Sequence, residues 1–349
     1  MSKDYVKIFN AVDLKRAKQE AENIIAMQAA DLYPKEFSFP ITLQFELTGA
    51  CNLKCKHCYN RSGDVDRVQY TSMTPQKWKS LAKQIVEAGG IFQCIISGGE
   101  PLLLGEDLFD IMDILHEDGT SFVVITNGML LSKEKVKRFS KYRYFWFQIS
   151  IDGSTPELHD SFRGVEGSWE KAVNGAMEIS DSGIPLVIAH SVTPKTLPYL
   201  DDMVKLAYSV GAGSIMIGEI LPSGRAIFNK DIFLTHEQRN YLYEQIDRLS
   251  KEYAGKIRIE RSMNVNTSME RYVSAPNSGG IIRPNGDFRL DCMTPFTIGN
   301  VLEEMIDSIW KNKGKDAWHN PKVLEFINSI DAEKQKGNIL NHVNDDIRI

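Results

Sequence analysis

Three cysteines stand within eight residues, in the run Cys51-Asn-Leu-Lys-Cys55-Lys-His-Cys58-Tyr59. Thiolates at this spacing can bind three irons on one face of an iron–sulfur cube, and soft thiolates favour iron–sulfur clusters or zinc. The fourth iron of such a cube has no side chain, so a small molecule can chelate it. The alternative is a structural zinc ion held by the same cysteines and His57. That geometry is awkward because His57 directly precedes Cys58.

A second group of polar motifs follows apolar runs that have the pattern of β-strands. In Ser97-Gly98-Gly99-Glu100-Pro101, the glycines allow the backbone to approach a ligand, and the carboxylate can bind an ammonium group. Thr126-Asn127-Gly128 and Ser150-Ile151-Asp152-Gly153 end two later runs, and the Asn-Gly pair also fits a tight turn. His190 ends another run, where it is either a core histidine or faces a ligand.

Six apolar runs have the length and composition of strands, and the stretches between them have the periodicity of helices. The predicted strands are Thr42–Leu47, Phe92–Ile96, Phe122–Thr126, Phe145–Ile151, Leu186–Val192 and Ser214–Glu219. The predicted helices are one that begins at Thr74-Pro75, then Asp107–Glu117, Lys133–Ser140, Trp169–Ser182 and Leu200–Val210. This alternation predicts an α/β fold, a full or partial (β/α)6 TIM-like barrel. All the motifs fall at predicted strand C-termini, where such folds build their sites.

The flanking segments predict a three-part organisation. Residues 1–40 form a polar N-terminal extension with a helix around Leu14–Ala29, and residues 41–234 form the barrel. Residues 235–349 begin with a bridging helix, whose Thr235 and Gln238 fit a capping box and whose end is expected near Gly255. A small α+β unit follows, with a hairpin that turns at Asn285-Gly286. The polar tail after Lys336 is expected to fray.

Composition excludes several classes of protein. The 349 residues are 42% hydrophobic and 25% charged, with a net charge of −5. No Lys/Arg block favours nucleic-acid binding, and no apolar run has the length of a membrane span. The N-terminal run MSKDYVKIFN lacks the apolar core of a signal peptide, so we expect a cytoplasmic protein. The crowding of three of the five cysteines indicates metal ligation rather than a disulfide framework.

The CxxxCxxC run with its following aromatic residue, at the end of the first strand of a βα series, resembles the radical S-adenosylmethionine (SAM) superfamily. The resemblance extends over about Ile41 to Lys230. It implies that Cys51, Cys55 and Cys58 hold one [4Fe–4S] cluster. It also implies that the amino and carboxylate groups of SAM chelate the fourth iron.

The resemblance assigns the remaining motifs to SAM. The Gly98-Gly99-Glu100 segment is similar to the family's GGEP motif, which grips the SAM amino group. Asn127 belongs to a triplet that family members often carry, although a tight turn explains it as well.

Four further residues match family positions. Tyr59 matches an aromatic residue that often lies by the adenine, and loop packing is the alternative. Ser150 and Asp152 match polar residues that approach the ribose or the methionine end of SAM. Arg163 matches an arginine that pairs with the SAM carboxylate, and a solvated arginine is the alternative.

The C-terminal part resembles the SPASM or twitch domains of this superfamily. Leu221-Pro222-Ser223-Gly224-Arg225-Ala226 is similar to their LPxGRA segment, and Gly280 to Trp310 shares further pieces of that domain. In relatives several cysteines bind auxiliary clusters there, whereas here only Cys292 is present. One thiolate cannot hold a conventional auxiliary cube, so the resemblance implies such a domain without an auxiliary cluster. Cys292 is either a thiol that donates hydrogen to a substrate radical or an inert buried residue.

The resemblance implies a reaction class. An external reductant of the flavodoxin or ferredoxin type supplies one electron, SAM is cleaved to a 5′-deoxyadenosyl radical, and that radical removes a hydrogen atom from the substrate. The first choice of substrate is a ribosomally made precursor peptide, delivered by a separate peptide-recognition protein. Redox-neutral outcomes such as epimerisation, rearrangement or fragmentation avoid the need for an auxiliary electron acceptor; cross-linking is another possible outcome. The alternatives are a small metabolite such as a carbohydrate or aminoglycoside, and a non-catalytic iron–sulfur sensor.

Overall fold

The computed structural model describes residues 19, 22–262, 265–329 and 346–349. Its strands are β1 (Thr42–Glu46), β2 (Gln93–Ser97), β3 (Ser121–Thr126), β4 (Tyr144–Ser150), β5 (Leu186–Val192), β6 (Ser214–Glu219), β7 (Arg258–Arg261), β8 (Gly279–Ile282), β9 (Asp287–Arg289), β10 (Phe296–Asn300) and β11 (Ile347–Arg348). Its α-helices are Val65–Gln69, Pro75–Glu87, Glu106–Glu117, Lys133–Phe139, Pro156–Arg163, Ser168–Asp181, Leu200–Ser209, His236–Glu252, Val265–Ser274, Ile306–Ile309 and Pro321–Ser329. Residues 22–29 are also helical, while the remainder of the predicted Leu14–Ala29 helix, apart from residue 19, lies outside the described residues.

The strands of the described residues form one sheet in the order β11-β10-β9-β8-β1-β2-β3-β4-β5-β6-β7. From β1 to β7 every neighbouring pair is parallel. The predicted α/β fold with a parallel sheet is therefore confirmed, and a partial barrel is consistent with it. Two predicted strands match in full, two differ by one residue at one end, and two are shifted by one residue at both ends. Sequence analysis missed β7, whose Arg-Ile-Glu-Arg run has little apolar signal.

The two faces of the parallel strands differ in burial. In β4, Phe147 and Ile149 are fully buried, whereas Gln148 and Ser150 on the opposite face are half-buried. The buried face packs under the helices; Phe147, for example, meets Phe139 at a ring separation of 5.1 Å. We call the other face, which carries Gln148 and Ser150, the inner face.

The predicted helix ends are confirmed where side chains cap them. The Thr74 hydroxyl accepts a hydrogen bond from the Lys77 N–H at 3.4 Å. Thr235 and Gln238 make the complete capping box of helix His236–Glu252, at 3.2 and 3.0 Å. That helix ends just before Gly255 rather than at it, and Gly255 follows in a turn with φ +79°. Among the described residues, no helix has the length and apolar character to cross a membrane.

The C-terminal strands continue the barrel sheet. Strand β8 pairs in parallel with β1, and the predicted hairpin is confirmed because β8 and β9 are antiparallel around Gly286, whose φ is +90°. Ile347 and Arg348 pair with β10, so the prediction of a frayed tail is wrong for these two residues. The rest of that tail, up to residue 345, lies outside the described residues.

Candidate functional site

The cysteine loop, residues 47–64, leaves the carboxyl end of β1. Cys55 is buried, and Cys51 and Cys58 are half-buried. Burial raises the pKa of Cys51 to about 12 and also raises the pKa of Cys55. The neighbouring thiols raise both values further. Because ligation needs thiolates, a bound cation would supply the positive charge that this buried set of thiols requires.

The spatial arrangement of the thiols also bears on what they can bind. Within residues 19, 22–262, 265–329 and 346–349, no three His, Cys, Asp or Glu side chains converge as the ligands of a single metal ion do. A cube takes one thiolate on each of its ligated irons. The cysteine loop carries three thiols, one for each of three irons.

The Gly98-Gly99-Glu100 segment is fastened to the cysteine loop by its backbone. The Gly99 N–H donates to the Thr48 carbonyl at 2.7 Å, and the Glu100 N–H donates to the Ala50 carbonyl at 2.9 Å. A β-carbon on Gly99 would lie 1.8 Å from the Ala50 oxygen. The close approach that these glycines allow is therefore an approach to the chain that precedes Cys51.

The Glu100 carboxylate lies at the centre of this edge and is fully buried. Its Oε1 accepts from the Thr126 hydroxyl at 2.7 Å and from the Leu102 N–H at 3.0 Å, and Oε2 accepts from the Asn127 N–H at 2.9 Å. Burial raises the pKa of Glu100, and the three donors act in the opposite direction. A carboxylate offers about four acceptor positions, so one remains on Oε2 for a ligand.

Asn127 connects the third strand to the cysteine loop. Its amide nitrogen donates to the Asn52 side-chain oxygen at 2.8 Å, next to Cys51. Its side-chain oxygen accepts from the Met129 N–H at 3.0 Å, which is the turn geometry expected of an Asn-Gly pair. Asn127 thus both shapes its own turn and holds the loop.

Arg163 and Asp152 form a buried ion pair below the cysteines. Arg163 Nη2 lies 2.6 Å from Asp152 Oδ2, and Arg163 Nη1 donates to Cys55 Sγ at 3.6 Å. The Ser191 N–H donates to Asp152 Oδ1 at 2.7 Å. Burial alone would raise the pKa of Asp152, but Arg163 and two nearby histidines hold it below its usual value. The solvated alternative for Arg163 is wrong, because the side chain is buried.

Several polar atoms around this ion pair lack hydrogen-bond partners among the described residues. They include His57 Nδ1, His190 Nε2 and Arg163 Nε. The His57 ring stacks on Phe162 at 4.7 Å, and burial lowers the pKa of His57 to about 4. His190 is a core residue whose Nδ1 lies 3.2 Å from the Ile151 carbonyl. Unsatisfied buried polar atoms are uncommon in native chains, and they mark this edge as a place for a polar ligand or water.

The Leu221–Ala226 segment contributes contacts that sequence analysis did not assign. The Arg225 N–H donates to the Cys58 carbonyl at 2.8 Å, and its guanidinium donates to the Cys55 and Ser62 carbonyls, each at 2.8 Å. A β-carbon on Gly224 would lie 2.2 Å from the Tyr59 oxygen. The Gly-Arg pair was visible in the sequence as a subgroup motif, but nothing local indicated that it fastens the cysteine loop.

Tyr59 points toward the C-terminal strands. Its hydroxyl donates to Glu46, a residue that is 1% exposed at the end of β1. Cys292 lies close enough for its charge to raise the pKa of Tyr59, after the larger effect of burial. Burial likewise holds the pKa of Cys292 well above its usual value. The predicted contact of Tyr59 with adenine stays a prediction.

Ser150 lies at the carboxyl end of β4, whereas the cavity described below opens at the opposite edge of the sheet. Ser150 is half-buried on the inner face, beside Ala189 in the register of β4 and β5. A cavity of about 470 Å³ opens at the amino ends of β4 to β7, lined by Trp146, Met216 and Glu260 among others. It lies at the opposite edge of the sheet from the cysteine loop and is not part of the predicted site.

Comparison with known proteins places this site in a family. The sequence profile of the Radical SAM superfamily matches residues 45–207. Mycofactocin maturase MftC from Mycobacterium tuberculosis is 30% identical over 297 residues, which are 78% of this chain and 71% of MftC. The chain belongs to the radical SAM superfamily. Radical SAM enzymes use a [4Fe–4S] cluster and SAM, so the predicted enzyme class and cofactors are confirmed.

Other relatives of this radical SAM chain differ in their named roles. The antilisterial bacteriocin subtilosin biosynthesis protein AlbA from Bacillus subtilis is 28% identical over 286 residues, 79% of this chain and 61% of AlbA. The AdoMet-dependent heme synthase of Methanosarcina barkeri is 26% identical over 292 residues, 78% of this chain and 82% of the synthase. The chain therefore spans less than two thirds of AlbA.

A solved structure supports the fold. Streptococcus suis SuiB, crystallised with S-adenosylmethionine, matches with a TM-score of 0.66 and 16% identity. The match covers 88% of this chain and 72% of SuiB. SuiB has also been crystallised with its precursor peptide SuiA.

Proposed function

We propose that Cys51, Cys55 and Cys58 hold the cluster of a radical SAM peptide maturase. The observation that carries this proposal is the fastening of the cysteine loop. Hydrogen bonds from Glu100, Arg163 and Arg225 reach the loop from three different parts of the barrel. Of these three residues, only Arg163 contacts a thiol, that of Cys55. A loop fixed in this way presents its thiols before any cofactor arrives.

When bound, the cluster and SAM supply a 5′-deoxyadenosyl radical, which removes a hydrogen atom from the substrate. The role of the protein is to position the reacting groups and to exclude water from the site. Glu100 retains one acceptor position for an ammonium group, at the edge where the cysteine loop begins. Ser150 ends β4 at the same edge of the sheet, and Asp152 follows it two residues later.

A precursor peptide is the proposed substrate. AlbA and MftC are named for bacteriocin biosynthesis and for maturation, and SuiB binds a precursor peptide. The inner face carries the amide side chains of Gln44 and Gln148, both half-buried. Amide groups offer both donors and acceptors, which suits the backbone of an extended peptide. A separate recognition protein and a flavodoxin-type or ferredoxin-type reductant are the proposed partners.

A small-molecule substrate is the second candidate, and one observation favours it. The heme synthase of Methanosarcina barkeri matches over more of its own length than AlbA does. The two candidates are distinguished by incubating the reconstituted enzyme with precursor peptides encoded by neighbouring genes and, separately, with small metabolites. Substrate-dependent formation of 5′-deoxyadenosine together with a mass change in the peptide supports the first proposal.

Cys292 is proposed as a hydrogen donor to the substrate radical. A donor must be a thiol rather than a thiolate, and burial keeps the pKa of Cys292 high. Cys292 lies close enough to Tyr59, a residue of the cysteine loop, to affect its pKa. In deuterated water the wild-type product is expected to carry a solvent deuteron, which the Cys292→Ala product lacks. Cys94→Ala, which changes a buried cysteine of β2, is the matched control.

The test of the proposal as a whole is cofactor chemistry. Anaerobically reconstituted and reduced protein is expected to convert SAM to 5′-deoxyadenosine, and replacement of any of the three loop cysteines by alanine should abolish this conversion. Cys94→Ala should retain it. A chain that loads its cluster fully but never cleaves SAM would contradict the proposal and favour a sensor.

A further inference from the structure

Arg163 joins a cysteine of the loop to a buried carboxylate. One guanidinium nitrogen donates to Cys55 Sγ at 3.6 Å, and the other lies 2.6 Å from Asp152 Oδ2. All three residues are buried, with exposed fractions of 7% for Arg163, 8% for Cys55 and 0% for Asp152. The guanidinium is therefore engaged at both ends within the chain, and its charge faces a sulfur atom.

The backbone fixes Arg163 against the cysteine loop. Arg163 is the last residue of helix Pro156–Arg163, and its carbonyl accepts from the Lys54 N–H at 3.0 Å. The preceding carbonyl, of Phe162, accepts from the Lys56 N–H at 3.0 Å. These two bonds flank Cys55. Gly164 ends the helix with φ +77° and packs against Lys54. The distance between the guanidinium and the thiol is thus set by the fold rather than by a flexible side chain alone.

The charges that surround the pair are also fixed. Asp152 is held by the Ser191 N–H at 2.7 Å, so the carboxylate cannot turn toward the cysteines. His57 Nε2 lies 3.9 Å from the same carboxylate, farther away than Arg163. Arg225 also contacts Cys55, but it donates to the backbone carbonyl and not to the sulfur.

A positive charge beside a cluster thiolate has a known physical consequence. Reduction adds one negative charge to the cluster, and a buried cation stabilises the more negative state. Hydrogen bonds to ligating sulfurs likewise raise the reduction potential of iron–sulfur clusters. Partners of this kind also support the affinity for the metal, because they orient the ligand.

We infer that Arg163 is a positioning residue for the Cys55 thiolate, which raises the reduction potential of the cluster and retains it, and that it does not bind the SAM carboxylate. Asp152 holds Arg163 in place and partly offsets its charge. This inference rests on the proposed function, because it assumes that Cys55 is a cluster ligand.

The test uses the reconstituted full-length chain and the variants Arg163→Met, Arg163→Lys and Asp152→Asn. Three quantities are measured: the midpoint potential by an EPR-monitored titration without SAM, cluster retention by competition with an iron chelator, and the dissociation constant of SAM. Arg248→Met changes a surface arginine and serves as the control.

Arg163→Met is expected to make the potential more negative and to weaken metal retention by about 10–100-fold, while SAM affinity is unchanged. Arg163→Lys should restore part of the potential, because it keeps the charge without the planar fork. Asp152→Asn should shift the potential in the opposite direction, since it removes the offsetting carboxylate. This opposite sign keeps the test decisive even where Arg163→Met fails to fold.

Two outcomes overturn the inference. Weakened SAM binding at an unchanged potential would make Arg163 the carboxylate ligand. If the Arg163→Lys variant and the Asp152→Asn variant both fold and both keep the wild-type potential, cluster retention and SAM affinity, Arg163 has a packing role only. A wild-type chain that binds no cluster at all would instead contradict the proposed function, and the two failures are thereby distinguished.

Discussion

Arginine side chains lie close to Cys55 in the cysteine loop and to Cys292 beside the C-terminal strands, yet the two regions are built differently. In the loop, Arg225 donates to backbone carbonyls, which leaves the thiols available as ligands. In the C-terminal strands, Arg283 pairs with Asp346 and lies 3.6 Å from Glu46, and Arg289 lies 3.6 Å from Asp346. We call Glu46, Arg283, Arg289 and Asp346 the charge cluster. The thiols of the loop are therefore left for a cofactor, whereas the residues of the charge cluster pair with one another.

The largest effect is expected from a change that prevents the loop from closing. Gly99→Ala places a methyl group 1.8 Å from the Ala50 oxygen, so the Gly98–Glu100 segment and the loop can no longer pack together. Iron and sulfide content after reconstitution should fall to near zero. Gly213→Ala is the control, because its nearest neighbour would lie at 3.8 Å. Equal iron content in the two variants would contradict the assigned role of Gly99.

A large but partial loss is expected for the guanidinium that fastens the loop. Arg225→Ala removes bonds to the Cys55 and Ser62 carbonyls and to Asp64 at 3.0 Å. Because partners that orient ligands typically contribute 10–100-fold in metal affinity, chelator competition should show a loss of about that size. Lys77→Ala, which alters an exposed side chain, should show none. A loss of thermal stability with unchanged metal affinity would mean that Arg225 has only a structural role.

A substitution in the charge cluster should lower the free energy of unfolding and leave the metal content unchanged. Arg283→Met leaves Glu46 buried without this cation and Asp346 with Arg289 alone, and breaking a buried pair costs about 3–5 kcal/mol. Urea unfolding of the apo chain measures this cost, with the exposed Arg258→Met as the control. The EPR signal of the reduced cluster should stay as in wild type. A variant with wild-type stability and an altered cluster signal would mean that the charge cluster acts on the cofactor rather than on the stability of the fold.

The smallest effect concerns the pH dependence of stability. Burial raises the pKa of Asp346 above its ordinary 3.8, against the opposing influence of Arg289 and Arg283. The folded chain therefore binds this proton more tightly than the unfolded chain, and the associated stability is lost as the pH rises through the folded value. Asp152 has the opposite sign, because its pKa is lowered and its stabilisation is lost on acidification.

Asp346→Asn tests that sign. The variant should become more stable relative to wild type as the pH rises from below 3.8 to neutrality, measured by urea unfolding of the apo chain at several pH values. Asp201→Asn, at an exposed ion pair, should follow wild type throughout. If Asp346→Asn instead became less stable relative to wild type as the pH rises, the Asp346 carboxyl group would ionise more easily in the folded chain than in the unfolded chain.

Local patterns explain what the sequence predicted well. The six strands, the capping box at Thr235 and the hairpin at Gly286 depend on neighbours within a few residues, and all of them are confirmed. The short edge strand β7 was missed because its residues are mostly charged. Pairing with β6 stabilises this strand, and such pairing leaves no apolar pattern in the sequence.

Contacts between distant parts of the chain explain what was missed. The bond from Arg225 to the Cys55 carbonyl joins residues 170 positions apart, and the bond from Arg163 to Cys55 Sγ joins residues 108 apart. No local pattern carries that information. The sequence marked Arg163 and the Gly224-Arg225 pair as noteworthy, but only the fold shows which atoms they face.

EPR spectroscopy of the reduced, reconstituted chain, with and without SAM, shows whether the three loop cysteines hold a cluster that binds SAM. The expected result is the signal of one reduced [4Fe–4S] cluster per chain, a change in that signal when SAM binds, and no signal when Cys51, Cys55 and Cys58 are all replaced by alanine. A cluster signal that persists in the triple variant, or one that SAM leaves unaltered, would mean that these cysteines do not form a SAM-binding cluster site.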